Sequence, residues 1–368
     1  MSLGTALCDL LGIEYPIVQS GMGSAAGPEL AAEVSRAGGL GIVAGLGVTP
    51  DELRKRIRHV RSVTDRPFGV NQWLHTELRP PADPARVPPT TMRAVQRELN
   101  VFRERLGIPA VDGAAPGMPD LIDAEFEVIL EERVPVWSIG LGNPEPAMVR
   151  RCHEHGIKVM AMVATVEDAR AVEKNGVDII VAQGGEAGGH RSTWIKQPRE
   201  AANVATLTLV PQVVDAVRVP VVAAGGIADG RGLVAALALG AVGALLGTRF
   251  VATRESMASE VWKKRLLESD GAHTTLTEAY TGLWARSLPN RYTEDYAASG
   301  APVLPALMQQ RAAQDIFTTA ARQGDAEHSM LYAGQSTGLV HDLPGAAEVV
   351  ERIAREARAV LARLATSR

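Results

Sequence analysis

The sequence predicts an α/β protein, a (β/α)8 TIM barrel with helical insertions. Three observations carry this prediction. Apolar runs of strand length recur eight times, capped helix-patterned stretches lie between them, and the last two predicted strands each end in glycine. An open doubly wound sheet is the alternative, but its phosphate-binding turn would follow the first strand.

Eight apolar runs supply the predicted strands. Most are continuously apolar rather than alternating, as strands covered on both faces must be. Gly or Pro residues bound them. The runs span residues 15–22, 38–45, 67–73, 134–142, 157–164, 177–185, 219–226 and 242–250.

Helix-start signals separate several of these runs. Pro28 opens one predicted helix, Thr49 precedes the next, and Thr165 with Asp168 has the spacing of a capping residue and its partner. A last amphipathic stretch, residues 346–364, is predicted to close the chain as a helix.

Two regions do not follow the strand–helix repeat. Residues 79–126 begin with a proline-rich stretch and continue into a predicted helix over 91–106. Residues 251–330 are polar and helical in pattern. We expect a single domain over residues 1–368, with both regions as insertions and the second as a small cap over the C-terminal face of the barrel.

Composition favours an ordinary soluble enzyme or binding protein. The 368 residues are 46% hydrophobic and 22% charged, with a net charge of -4, which indicates neither a nucleic-acid nor a membrane partner. Two cysteines exclude a disulfide framework, and the N-terminus lacks a signal-peptide pattern. We expect a cytoplasmic protein, for which a homo-oligomer remains possible.

The strand-end glycines of residues 219–250 predict a phosphate cradle. Gly225 and Gly226 follow the seventh predicted strand, and Gly247 and Thr248 follow the eighth. Glycine places no side chain between a backbone N–H and an anion. Neighbouring strands of a barrel would bring these four residues together at its C-terminal mouth.

A glycine-rich loop after the sixth strand carries the candidate catalytic residue, His190. The segment Gln183–His190 has four glycines in eight residues and is predicted to lie against a ligand. His190 could act as a general base near neutral pH. A structural histidine that caps a glycine turn is the alternative.

Two further strand ends could contact a flat heterocycle. Met22 and Gly23 follow the first strand, where their backbone could lie against a ring. Asn71 ends the third strand, and its carboxamide offers both a donor and an acceptor. The alternatives are a tight turn for the first pair and a turn residue for Asn71.

Three motifs lack the context that their usual function requires. Residues 39–44 match a dinucleotide fingerprint but lie inside a predicted strand. Residues 152–155 combine Cys and His, but adjacent helical positions point in different directions, so no metal site is predicted. Residues 229–232 fit a helix start.

The candidate site contains glycines, amides and one histidine, but no obvious nucleophile and no carboxylate pair. Such a site needs a cofactor for its chemistry.

Taken in order, several blocks resemble the nitronate monooxygenase family, formerly called 2-nitropropane dioxygenases. They are QSGMG, PFGVNQW, VAQGGEAGGH, the AAGGIADGRG and GTRF segments, and a late YAGQSTGLVHDLP. The resemblance runs from about Tyr15 to the C-terminus. The same blocks are also similar to FMN-dependent enoyl-acyl-carrier-protein reductases and NADH:quinone reductases.

The resemblance implies FMN at the barrel mouth. By motif, Gly225, Gly226, Gly247 and Thr248 would hold its phosphate, and Gln183, Gly188 and Gly189 would line the ribityl chain and phosphate. The backbone of Met22 and Gly23, and Asn71, would meet the ring, and His190 matches the active-site histidine. One departure is the fourth strand, Trp137–Gly142, where relatives are expected to show an aromatic S-F-x-F-G pattern.

Three functions remain open at this point. The first is oxidation of propionate 3-nitronate or other alkyl nitronates with O2, for which a small-molecule substrate and O2 are the only expected partners. The second is FMN- and NAD(P)H-dependent reduction of enoyl thioesters or quinones. The third is a flavin-free lyase or isomerase that binds a sugar phosphate in the same cradle.

Overall fold

Eight parallel strands form the barrel in the computed structural model, which describes residues 3–201 and 203–366. They are β1 (Ile17–Gln19), β2 (Gly41–Ala44), β3 (Phe68–Trp73), β4 (Val136–Gly140), β5 (Lys158–Val163), β6 (Ile179–Gln183), β8 (Val221–Ala224) and β9 (Gly243–Leu246). Each pairs in parallel with its neighbours in the order β1, β9, β8, β6, β5, β4, β3, β2. A parallel bridge between Val18 and Leu40 joins the two ends of this order. The predicted TIM barrel is therefore confirmed.

A small antiparallel sheet stands apart from the barrel. It pairs β10 (Thr275–Thr277) with β11 (Ala285–Ser287), and β11 with the two-residue strand β7 (Gly189–His190). The sequence predicts the segment Gln183–His190 as a loop, and this is wrong for Gly189 and His190, which form β7. The pairing of Gly189 with Arg286 fixes the end of that segment.

Helices connect the barrel strands and build the insertions. They are α1 (Ala6–Leu11), α2 (Pro28–Arg36), α3 (Pro50–Val63), α4 (Pro89–Leu106), α5 (Ile122–Glu131), α6 (Pro146–Glu154), α7 (Val166–Lys174), α8 (Thr206–Ala216), α9 (Gly230–Ala238), α10 (Thr248–Val251), α11 (Glu260–Leu267), α12 (Arg291–Ser299), α13 (Met308–Ala312), α14 (Gln314–Gln323) and α15 (Ala346–Thr366). Short 3-10 helices span Pro84–Arg86, Ala326–His328 and Gln335–Leu339. The predicted helix caps are confirmed at α3 and α7. The side chains of Thr49 and Thr165 accept hydrogen bonds from the backbone N–H groups of Glu52 and Asp168.

Two apolar layers build the barrel. The outer layer lies between the strands and the surrounding helices, and the inner layer fills the barrel itself. The inner layer includes Leu7 and Leu11 of α1, which packs against the barrel interior. Because the strands are buried on both faces, they read as continuous apolar runs.

The two predicted insertions pack against each other. A separate apolar cluster joins Leu99 and Phe102 of α4 to Tyr292 of α12 and Phe317 of α14. Arg103 of α4, 1% exposed, also forms an ion pair with Asp315 at 2.7 Å. Residues 89–106 and 275–323 thus share one core outside the barrel.

The eighth predicted run ends differently from the prediction. Its strand stops at Leu246, and residues 248–251 form the short helix α10 instead of continuing the strand. Gly247 makes the change of direction between them. Within residues 3–201 and 203–366, no helix combines the length and apolar character needed to cross a membrane.

Candidate active site

A cavity of about 400 Å³ opens at the C-terminal ends of the barrel strands. All the residues that the sequence singles out for a site line it, so the structure brings together every predicted position. They are Met22, Gly23, Asn71, Gln183, Gly188, Gly189, His190, Gly225, Gly226, Gly247 and Thr248. Their individual roles remain predictions.

The glycine cradle lies at the ends of the paired strands β8 and β9. Gly225 and Gly226 have φ values of 108° and 71°, a region that L side chains rarely adopt. A Cβ on Gly225 would also come within 2.8 Å of Oγ1 of Thr206. The turn after β8 therefore takes a conformation that favours glycine at both positions.

Two buried arginines and a partly buried glutamate support the loop before His190. Arg191 donates hydrogen bonds to the carbonyl oxygens of Gly184 and Ala187, and Arg286 donates one to the carbonyl of Gly185. Glu186 accepts hydrogen bonds from the backbone N–H and the hydroxyl of Thr206. Burial, and next the charge of Arg286, lower the pKa of Arg191 to about 9.

These two arginines are functional candidates that sequence reasoning missed. Two guanidinium groups against one carboxylate leave an excess of positive charge beneath the glycine loop, which favours an anion above it. Arg191 directly follows the EAGGH motif, so its position in the sequence could have indicated it. Arg286 lies on the distant strand β11, and no sequence motif indicates that it reaches this loop.

Gln183 fixes the same loop through its side chain. Its Nε2 donates to the carbonyl of His190 at 2.9 Å, and its Oε1 accepts from the N–H of Ser192 at 2.9 Å. Both ends of the carboxamide therefore hold protein atoms. The hydroxyl of Thr248 is similarly engaged, since it accepts from the N–H of Gly334 at 2.9 Å.

Asn71 presents one free end of its carboxamide. Its Nδ2 donates to Oγ of Ser138 at 3.1 Å, whereas its Oδ1 has no partner among the hydrogen bonds of the described residues. A Cβ on Gly21 would come within 2.3 Å of the Asn71 Cβ. Glycine at position 21 thus lets the first-strand loop approach Asn71 closely.

The departure on the fourth strand lies at this cavity. Ser138 and Gly140 of β4 line it, whereas Trp137 is fully buried. Nε1 of Trp137 donates to Oε1 of Gln72 at 3.0 Å, on the other side of the strand. Leu141, which follows β4, lines the cavity as well.

His190 lies between two aromatic rings. Trp73 meets it edge-on at a centroid distance of 4.7 Å, and Tyr332 lies 5.4 Å away on a tilted plane. Nε2 of His190 is 2.8 Å from the hydroxyl oxygen of Thr281. Thr281 carries no sequence signal, because it lies in the irregular region 251–330. Tyr332 begins the late YAGQSTGLVHDLP block, but the sequence gives that residue no role of its own.

The environment of His190 keeps its ring neutral. Burial lowers the pKa of His190 to about 3, helped by the charges of Arg191 and His75. The sequence-based expectation of a pKa near 7 therefore changes, since the lowered pKa makes His190 a weaker base whose ring is neutral, with one N–H, at neutral pH.

The cavity lining carries a single charged side chain among the described residues, that of Arg311 on α13. Its Nε donates to the carbonyl of Pro116 at 3.3 Å, which joins the two insertions at the cavity mouth. No ion pair of the described residues includes it. The remaining lining is apolar or neutral and polar.

The three motifs that the sequence analysis excludes as functional sites have structural roles away from the cavity. Cys152 is buried, and burial raises the pKa of its thiol to about 12. His153 contacts Asp178, and His155 contacts the carbonyl of Arg151. Residues 41–44 form barrel strand β2, and the carboxylate of Asp229 accepts hydrogen bonds at the start of α9.

Comparison with known proteins identifies the class and then the family. The fold is a TIM barrel with a cavity at the C-terminal ends of its strands. The sequence matches the nitronate monooxygenase family, a family of oxidoreductases, over residues 4–356. A probable nitronate monooxygenase of Staphylococcus saprophyticus is 34% identical over 364 residues, covering 99% of this chain and 100% of that protein. One from Staphylococcus aureus is 34% identical over 338 residues, 92% and 93% of the two chains.

Solved structures agree. The nitroalkane oxidase of Streptomyces ansochromogenes superposes with a TM-score of 0.88 at 36% identity, covering 98% of this chain and 100% of that one. FabK from Thermotoga maritima superposes with a TM-score of 0.75 at 34% identity, covering 98% of each chain. The chain belongs to the nitronate monooxygenase family, a family of flavin-dependent oxidoreductases.

Proposed function

We propose that this enzyme uses FMN to oxidise alkyl nitronates with O2. The observation that carries the proposal is the composition of the cavity. It combines a glycine cradle for a phosphate, a carboxamide for a ring edge, a neutral histidine, and one cation with no anion. A small nitronate anion and O2 are the partners such a site would take.

The residues present fit the phosphate of FMN. Gly225 and Gly226 line the cavity with positive φ values that favour glycine, and neither has a side chain to stand between its backbone and a phosphate. The buried guanidinium groups of Arg191 and Arg286 lie beneath the adjoining loop, and their positive charge would favour a phosphate dianion. Gly247 and Thr248 would complete the cradle from the next strand.

The first and third strands fit the ring of a flavin. The unpartnered Oδ1 of Asn71 can accept a hydrogen bond from a ring N–H. A Cβ on Gly23 would meet nothing within 4 Å, so this backbone faces open space in the cavity. Met22 lines the same cavity.

Bound FMN would supply the group that takes electrons from the nitronate and returns them to O2. His190 would act on the substrate. A neutral imidazole can accept the proton of a nitroalkane at its free nitrogen, and it can donate a hydrogen bond to a nitronate anion. Arg311 would attract the anion to the cavity mouth.

A second function is supported by the similarity to FabK. On that account the enzyme would use NAD(P)H to reduce an enoyl thioester or a quinone through the same flavin. The nitronate function is preferred because the nitroalkane oxidase superposes with the higher TM-score, 0.88 against 0.75. Family membership also favours a flavin enzyme over a flavin-free sugar-phosphate lyase or isomerase.

The test combines cofactor identity with turnover. Cofactor released by heat from the purified protein is separated by chromatography, and O2 consumption is followed with propyl-1-nitronate and, separately, with NADH and a quinone. We expect FMN and nitronate-dependent O2 uptake. FAD as the main species would contradict the site assignment, and turnover only with NADH would support the second function.

A further inference from the structure

The small three-stranded sheet brings a distant threonine to the candidate catalytic histidine. Ala285 of β11 pairs with His190 of β7, and β10 precedes β11 across a short connection. Thr281 lies on that connection, 91 residues from His190 in sequence. Backbone pairing and side-chain contact therefore arise from one hairpin.

Thr281 is held on several sides. It is 1% exposed. Its carbonyl accepts from the N–H of Leu307 at 2.8 Å, which ties the connection to the start of α13. Its hydroxyl oxygen is 2.8 Å from Nε2 of His190 and 3.4 Å from both the carbonyl oxygen and the N–H of Leu283.

Hydrogen-bond counting distinguishes the two neutral forms of His190. If Nε2 carries the proton, it donates to Thr281, and the hydroxyl is free to donate to the carbonyl of Leu283. If Nδ1 carries the proton, the hydroxyl must donate to Nε2, and the Leu283 carbonyl loses that donor. The first arrangement makes one more hydrogen bond from the same groups.

The first arrangement also tolerates a change of charge. When His190 gains a proton, Nε2 keeps its N–H and its acceptor, so Thr281 need not rotate. Nδ1 forms none of the hydrogen bonds of the described residues, and it is not among their enclosed polar atoms that lack a partner. This nitrogen is therefore accessible, and His190 is one of the residues that line the cavity.

We propose that Thr281 is a positioning residue that holds His190 with its proton on Nε2, so that Nδ1 is the atom that takes a proton from the substrate. The inference rests on the proposed function. In the step, the C–H bond next to the nitro group breaks. Its electron pair moves into the nitro group to form the nitronate, and the proton goes to Nδ1. A buried acceptor that selects a histidine tautomer serves the same purpose in hydrolase triads.

The direct test is nitrogen NMR of the holoenzyme with labelled histidine. Nitrogen shifts and couplings to the ring protons distinguish a protonated from an unprotonated ring nitrogen. We expect His190, assigned by its loss in His190→Asn, to carry its proton on Nε2 in the wild type and to show a mixture in Thr281→Val. A proton on Nδ1 in the wild type would overturn the inference.

Kinetics provide the second test. Thr281→Val should lower kcat/KM for 1-nitropropane about tenfold, the scale of one lost hydrogen bond, and change that for preformed propyl-1-nitronate much less. Thr281→Ser should restore the wild-type ratio. Retained flavin absorbance shows that the variants are folded.

The outcomes separate this inference from the proposed function. Equal loss on both substrates in Thr281→Val, or no loss on either, would contradict a positioning role for Thr281. A wild-type enzyme that oxidises neither substrate would instead contradict the proposed function.

Discussion

His190 is the residue on which the chemistry depends, and its substitution has a specific expected result. His190→Asn should keep the flavin, because the ring contacts aromatic side chains rather than the glycine cradle. It should lose at least ~100-fold in turnover of a nitroalkane, the usual scale for a general base. The loss with a preformed nitronate should be smaller, since no proton is abstracted.

Steady-state O2 uptake with both substrates, together with the visible spectrum, checks this prediction. Wild-type rates on both substrates would make His190 a structural residue. Loss of the flavin would place its role in cofactor binding.

Gly226 tests the phosphate cradle. Gly226→Asp adds a carboxylate next to Glu186, whose Cβ would lie 3.6 Å from the new Cβ, and it puts negative charge where a phosphate dianion is expected. We expect the purified variant to lack bound flavin. The flavin-to-protein absorbance ratio measures this.

A matched control separates charge from backbone strain. Gly156 has φ 72°, close to the 71° of Gly226, and a Cβ there would meet nothing within 4 Å. It lies after α6, away from the cavity lining. Gly156→Asp should therefore keep its flavin, and full occupancy in Gly226→Asp would refute the cradle.

Individual site residues could be predicted from the sequence where they directly follow a barrel strand. Gly225 and His190 were found because barrel strands bring their C-terminal ends to one mouth. Thr281 and Arg311 were not predicted, since their places depend on contacts between distant irregular segments. Tyr332 lies in the late YAGQSTGLVHDLP block, but nothing in that block indicates that its ring contacts His190. The pKa of His190 was also beyond reach, because burial sets it.

At the scale of elements, a buried carboxyl group between α5 and β3 predicts a pH dependence of the protein's stability. Glu125 of α5 accepts a hydrogen bond from Nε2 of Gln72 at 2.9 Å and is 1% exposed. Burial raises the pKa of Glu125 to about 7. The folded state therefore binds the Glu125 proton more tightly than the unfolded state does. The resulting stabilisation is complete below the ordinary pKa of a glutamate and is lost as the pH rises through 7.

Glu125→Gln removes this titration. The unfolding free energy of the variant relative to the wild type should rise between pH 5 and pH 8, by on the order of 2 kcal/mol. Urea denaturation at several pH values measures it. Glu127→Gln on the same helix is the control, because an ion pair with Arg151 lowers the pKa of Glu127. A pH-independent difference for Glu125→Gln would contradict the assignment.

The sequence predicted those secondary-structure elements that are buried along their whole length. The barrel strands are apolar on both faces and are visible as continuous runs, such as residues 177–185. The strands β7, β10 and β11 have two or three residues each, too few to show alternation. The short helix α10 was likewise hidden, since four residues carry no helical period.

For the whole molecule, the barrel could be predicted from its repeats, but the relation between the insertions could not. Arg103 and Asp315 lie 212 residues apart and form an ion pair at 2.7 Å. No local pattern encodes such a contact. The same packing brings Arg311 to the cavity, so the irregular segments supply the one charged side chain of its described lining.

Anaerobic titration of the purified holoenzyme is the most direct test of the central claim, that this barrel oxidises nitronates through a bound flavin. Propyl-1-nitronate and NADH are added to separate samples, and the flavin absorbance is recorded. The account predicts that the nitronate bleaches the flavin and that admission of O2 restores it, with no fast bleaching by NADH. Rapid bleaching by NADH and none by the nitronate would contradict the account.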